Sequence, residues 1–171
     1  MTRQTARETP AGAPRLPLLH RTVRPEWIDY NGHMSEAFYV LAFGHATDAM
    51  MIETGLDSTY RESTGCSLYT VESHIRYLRD VPEGAHLAIR TRVLGVAAKK
   101  ARFTHEMYVV ADAVSEPAAD AEPVATTELL AVHVDRQQGR AAAFPDMIGA
   151  CFARLTEPAP PWAGRSIAPV S

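Results

Sequence analysis

Residues 27–43 read WIDYNGHMSEAFYVLAF, and the change of character inside this stretch sets the fold. Asp29-Tyr30-Asn31-Gly32-His33 has turn chemistry, because Asx side chains bond their own backbone and glycine accepts positive φ. From Met34 to about Thr54 the pattern becomes helical. Phe38, Leu41, Ala42, His45, Ala49 and Ile52 recur at helical spacing, with Glu36, Gly44, Asp48 and Glu53 mostly elsewhere, and Gly55 stands where a helix C-terminus wants it. One long amphipathic helix is predicted, with Asp29 at its mouth.

Upstream, LLHRTVRPEWI (residues 18–28) reads as an extended segment with a proline bend. Downstream, LDSTYRESTG (residues 56–65) reads as a loop with at most one helical turn, and the rest is strand-like. In CSLYTVESHIRYL (residues 66–78) simple alternation puts Leu68, Thr70, Glu72, His74, Arg76 and Leu78 on one face and Tyr69, Val71, Ser73, Ile75 and Tyr77 on the core face. AHLAIRTRVLGV, ARFTHEMYVV and VATTELLAVHVD supply further strands, DRQQG (residues 135–139) a hairpin turn, and MIGACFARL a terminal helix capped by Asp146. One strand, one long helix and then consecutive strands pairing as a meander is an α+β layout. Residues 1–15 and 157–171 read as tails flanking one domain over 16–156.

The chain has 171 residues, 46% hydrophobic and 22% charged, with a net charge of −3, which suits one soluble domain and gives no electrostatic footprint for nucleic acid. No apolar run has the length of a signal peptide or membrane span, so a cytoplasmic location with no membrane partner is expected. Cys66 and Cys151 lack zinc-site spacing and read as buried free thiols; the seven histidines form no HExxH pair, so no metal is assigned.

The run DYNGHMSEAFYVLAF, preceded by Val23 and Trp27, resembles the hot-dog-fold acyl-CoA thioesterases of the 4-hydroxybenzoyl-CoA type. PEWIDYNGHM together with ATDAM and SHIRYLRD is similar to a narrower group, the betainyl-CoA thioesterases of carnitine breakdown, which also occur fused to L-carnitine dehydrogenase. The resemblance implies an antiparallel sheet wrapped around one long central helix, hydrolysis of an acyl-CoA thioester by a carboxylate at the helix mouth, no cofactor beyond the coenzyme A of the substrate, and a homodimer or tetramer. Asp29 falls on the catalytic acid. Many members carry Asn where this chain has Ser35; the alternative arrangement, a Glu within the helix, maps to Glu36 or Glu53 with less fitting context.

Thioester hydrolysis needs a carboxylate and donors for the developing oxyanion, and unpaired helix N-terminal amides around Met34, Ser35 and Glu36 would provide the donors. The plainer alternative is that Asp29 caps the helix or forms an Asx turn with Asn31. His33 is a second candidate for the chemistry, or simply a helix-start residue. Trp27 and Tyr30 flank the acid and are candidates for gripping a cationic acyl group, and Asn31 is a further candidate for binding the substrate. Glu72 and His74 share a strand face that either lines a shared site or is solvated. Lys99, Lys100 and Arg102 concentrate positive charge for CoA phosphates, or form an ordinary charged hairpin. Two other functions fit this fold: a non-catalytic acyl-CoA-binding module, and an enoyl-CoA hydratase, which would need a His with a placed acid.

Overall fold

Gly32 takes φ +84°, the left-handed conformation that lets the chain reverse between Asp29 and His33. The computed structural model in which it is seen describes residues 14–165 and 167. The reversal follows strand β1 (Leu19–Thr22) and a 3₁₀ turn (Pro25–Trp27), and it leads into helix α1 (Glu36–Glu53). Helix α1 ends at Thr54, with Gly55 left-handed behind it, as the sequence predicts.

The buried stripe of α1 is Tyr39, Ala42, Phe43, Ala46 and Met50. It is rotated from the expected one: Leu41 and Ile52 are 43% and 63% exposed. The first turns carry Phe38-Tyr39-Val40-Leu41-Ala42-Phe43 in succession, so hydrophobic periodicity there does not single out a face. Residues 58–64, expected as loop, form helix α2 (Ser58–Thr64), because Asp57 accepts a hydrogen bond from Tyr60 N at its start and Gly65 closes it at φ +71°.

Five long or short strands then complete the sheet: β2 (Cys66–Tyr77), β3 (His86–Ala97), β4 (Lys100–Val110), β5 (Ala125–Asp135) and β6 (Arg140–Ala141). The order is β1-β3-β4-β5-β2, all antiparallel, with β6 on β5. β3, β4 and β5 form the expected meander, but β2 crosses to the far edge beside β5. Residues 78–85 carry that crossing past the start of α1, where Met34 N donates to Val81 O at 2.8 Å.

A bulge at Val71 breaks the alternation of β2: Thr70 faces Ala131 while Glu72 faces Leu130. Leu68 and Thr70 therefore share the helix side with Ser73, Ile75 and Tyr77, whereas Glu72 and His74 turn to the outer face. Leu68 is buried and Val71 is 56% exposed, the reverse of unbroken alternation.

Two core clusters lie between helix and sheet, one around Trp27, Tyr39, Phe43, Leu87 and Met107, the other around Met50, Phe103, Leu129 and Phe152 of helix α3 (Asp146–Leu155). Pro145 rather than Asp146 is the N-cap of α3. Residues 157–164, expected as tail, cross the outer face of the sheet: Glu157 N donates to Val93 O of β3 at 2.8 Å, Trp162 Nε1 to Glu106 Oε1 of β4 at 3.3 Å, and Gly164 N to Glu128 Oε2 of β5 at 2.6 Å. Beneath this strap Arg90 and Arg92 meet Glu157 and Glu106, two carboxylates 6% and 5% exposed. Of the expected tails, residues 1–13, 166 and 168–171 lie outside the described part. Cys66 and Cys151 are free and partly buried. No described helix is long and apolar enough to cross a membrane.

Candidate active site at the mouth of the long helix

The turn holds Asp29 from three sides. Its N–H donates to His33 O at 2.9 Å, its carbonyl accepts from Gly32 N at 3.0 Å, and its Oδ1 accepts from Asn31 N at 2.8 Å. The Asx turn is thus present, and it orients the carboxylate: among the described residues Oδ2 has no hydrogen-bond partner. Ile28 and Met34 bridge across the base of the turn.

Two of the amides expected to be open are engaged, since Met34 N binds Val81 O and Ser35 N binds Trp27 O at 2.9 Å. Ser35 is the N-cap residue but makes no side-chain cap, so the helix begins one to two residues later than the sequence suggests. Glu36 and Ala37 are the first helical amides, which no i−4 carbonyl of the helix can satisfy, and they carry the positive end of the dipole of α1.

Beside this mouth lies a cleft of about 440 Å³ lined by Met34, Glu36, Tyr39, Tyr77, Leu78, Arg79 and Asp80. Tyr39 and Tyr77 meet with ring centroids 5.2 Å apart at 82°. Burial pushes the Tyr39 phenol above its ordinary pKa, and the carboxylates of Asp80 and Asp29 nearby act in the same direction; burial and then Glu36 do the same to Tyr77. Asp80 and Asp29 therefore lie within electrostatic reach of Tyr39, and Glu36 within reach of Tyr77. His33 Nε2 stands 2.8 Å from Asp80 Oδ2, so its ring is directed to Asp80 and not to Asp29.

The other candidates disperse. Trp27 ends the 3₁₀ turn facing inward, 6% exposed and stacked on Phe38 at 5.4 Å, while Tyr30 at the turn tip is 96% exposed; the two do not form a pair of walls. Glu72 and His74 line an outer-face cleft of about 270 Å³ with Arg102 and Glu128, on the opposite side of the sheet from α1. Arg102 Nε donates to Glu128 Oε1 at 2.6 Å. Lys99 and Lys100 sit at the β3–β4 hairpin, and Lys99 Nζ donates to Ala141 O at 3.3 Å. Met107, which belongs with Tyr39 to the core cluster near the mouth, lies seven residues along β4 from Lys100; that is roughly 23 Å of strand. One chain does not bring these cations to Asp29. Tyr39, Tyr77 and Asp80 were not singled out in the sequence; the available signal was that Tyr77 and Asp80 straddle the end of a strand, where chains turn into sites.

A second groove, about 330 Å³, runs between α1 and the inner faces of β2 and β5, with Val40, Phe43, Gly44, Thr47, Ser73 and Ile75 among its walls. Behind Thr47 of its wall His105 is fully buried, bonded to Thr47 Oγ1 and Thr91 Oγ1 at 2.9 Å each, and burial drives its pKa down to about 3. Among the described residues no group of three or more His, Cys, Asp or Glu is placed to hold a metal.

A family model described as the thioesterase-like superfamily matches residues 23–152. A betainyl-CoA thioesterase of Pseudomonas aeruginosa is 38% identical over 150 residues, 85% of this chain and 89% of that protein. An L-carnitine dehydrogenase/betainyl-CoA thioesterase of Agrobacterium fabrum is 45% identical over 119 residues, 70% of this chain, of which this chain spans only 22%. Among solved structures, a putative thioesterase from Pseudomonas putida superposes with TM-score 0.75 at 33% identity, over 94% of this chain and 100% of that one. A hypothetical protein from Staphylococcus aureus solved in complex with CoA gives TM-score 0.78 at 23% identity over the same shares, a likeness of fold.

Proposed function

The chain belongs to the thioesterase-like superfamily and is a hot-dog-fold acyl-CoA thioesterase, and from that premise we propose that Asp29 carries the hydrolysis and that a betainyl group is the acyl part of the substrate. The observation that supports this most is the Asp29 turn itself: one carboxylate oxygen is fixed by Asn31 N–H, the other has no hydrogen-bond partner among the described residues, and the turn leads directly into the first amides of α1. Oδ2 removes a proton from water as the water attacks the thioester carbon, or attacks that carbon itself to form an anhydride that water then cleaves. Either way, charge develops on the thioester oxygen where the Glu36 and Ala37 N–H groups point, and CoA leaves as the thiol with the acid as second product.

We further propose that the working unit is at least a dimer. β2 is an edge strand with Tyr69 and Val71 48% and 56% exposed, next to an α1 face on which Val40 is 49% exposed. Pairing two β2 edges about a two-fold axis would extend the sheet and cover the groove beside α1. A second copy is then the source from which Lys99, Lys100 or the Glu72–His74 face reaches a bound CoA.

The test is thiol release from an acyl-CoA panel by wild-type protein and Asp29→Asn. The variant is expected to stay folded and lose about 10²–10⁴-fold in kcat; turnover close to wild type removes Asp29 from the mechanism. Label from oxygen-18 water entering Asp29 in a single turnover marks the anhydride route. A second reading has one observation behind it, the His33–Asp80 pair at the same mouth: a hydratase would add water to crotonyl-CoA and release no thiol.

A further inference from the structure

We infer that the corner formed by Tyr39 and Tyr77, with Glu36 and Asp80 at its rim, is the specificity pocket for a quaternary ammonium acyl group; this rests on the thioesterase reading above. A trimethylammonium group offers no proton to donate and cannot be recognised by a directed hydrogen bond. What binds it is aromatic face and diffuse negative charge. The cleft at the mouth of α1 supplies both. Its two rings meet at 82°: Tyr77, 46% exposed, offers the open wall, and Tyr39, 3% exposed, backs it.

The charge balance of the cleft is also cation-selective. Glu36 and Asp80 line it, Asp80 with one oxygen 2.8 Å from His33 Nε2, and Arg79, the cationic side chain on the same wall, is drawn off to Glu122 at 2.7 Å. Asp29 adds charge from behind, close enough to act on the Tyr39 phenol. The reacting carbon of a betainyl thioester lies one methylene from its cation, so a pocket next to the catalytic carboxylate is where such a cation must sit. Trp27 and Tyr30, the aromatic residues nearest Asp29 in sequence, do not make such a corner: one is packed in the core and the other is at a turn tip in solvent.

The experiment compares kcat/KM for betainyl-CoA and for 3,3-dimethylbutyryl-CoA, which has nearly the same shape without the charge, in wild type, Tyr77→Leu, Tyr77→Phe and Glu36→Gln. Wild type is expected to favour the charged ester by about tenfold or more. Tyr77→Leu should bring the ratio close to one, chiefly through KM for the charged ester, and Tyr77→Phe should keep it because the ring remains. Should the leucine protein fail to fold, the phenylalanine and glutamine proteins decide, with the ratio kept in the first and lowered in the second. Equal turnover of the two esters by wild type overturns the inference while leaving thioester hydrolysis in place. An unchanged ratio in folded Tyr77→Leu overturns it as well. Thiol release from neither ester overturns the inference together with the hydrolytic reading on which it stands.

Discussion

Acid should undo this protein through His105 before it undoes the rest of the core. The ring is fully buried between Phe43, stacked at 5.9 Å, and Phe103, and each ring nitrogen has a threonine hydroxyl at 2.9 Å. Those partners suit a neutral imidazole, which donates once and accepts once. Burial holds its pKa at about 3 in the fold, against 6.5 in the unfolded chain. A folded pKa below the unfolded one means that the unfolded state takes up the proton first, so stability is intact above pH 6.5 and is lost as pH falls towards 3. The limiting slope is about 1.4 kcal/mol per pH unit, so going from pH 6.5 to 4.5 should cost about 2.3 kcal/mol from this one group. Urea unfolding of wild type and His105→Gln at pH 7.0, 6.0, 5.0 and 4.5, at one fixed protein concentration, isolates the term, because the exposed carboxylates and histidines cancel in the difference. The glutamine protein should start less stable and close the gap by about 2–3 kcal/mol across that range. Parallel stability curves would refute the argument.

Gly32→Ala introduces a Cβ that meets nothing within 4 Å but must hold φ near +84°; the cost should be about 1 kcal/mol of stability, with a larger proportional loss in kcat/KM as the Asp29 turn relaxes. Glu157→Gln leaves Arg90 and Arg92 with one carboxylate fewer under the strap, and should lower unfolding free energy by about 3 kcal/mol in denaturant melts. Asp57→Ala removes the cap of α2 and should cost about 1 kcal/mol without touching activity. Val71→Lys on the exposed β2 edge should shift sedimentation towards the 18.7 kDa monomer, and an unchanged dimer would place the interface elsewhere.

Much of the fold was legible because local chemistry and tertiary demand agree at α1: Gly55 closes it and the turn before it carries Gly32. The strands were legible as strands, but their order was not, since nothing in residues 78–85 shows that β2 pairs with β5 and not with β3. The stripe of α1 was misplaced because six apolar residues in succession satisfy several faces. Residues 157–164 look like a tail by composition and are held by partners distant in sequence, Val93, Glu106 and Glu128, which a local reading does not see. At the candidate site, the turn that holds Asp29 was readable from Asn31 and Gly32, whereas the Tyr39–Tyr77 corner joins residues far apart in the chain and exists only once β2 lies at the edge beside the helix.

The extra residue at Val71 works as a phase shifter on one strand. Ahead of it, even-numbered side chains look towards α1; past it, odd-numbered ones do, and that change of parity is why Tyr77 can stand opposite Tyr39 while Leu68 still fills the core at the other end. Deleting a single residue there would leave composition and strand propensity almost untouched. It would turn either Tyr77 out of the cleft or Leu68 out of the core, and the chain could not keep both. The spacing along β2 is therefore a tighter constraint on what this protein can become than the identity of most residues in it, and related chains should tolerate an exchange of one apolar side chain for another at position 71 far more readily than a change in length.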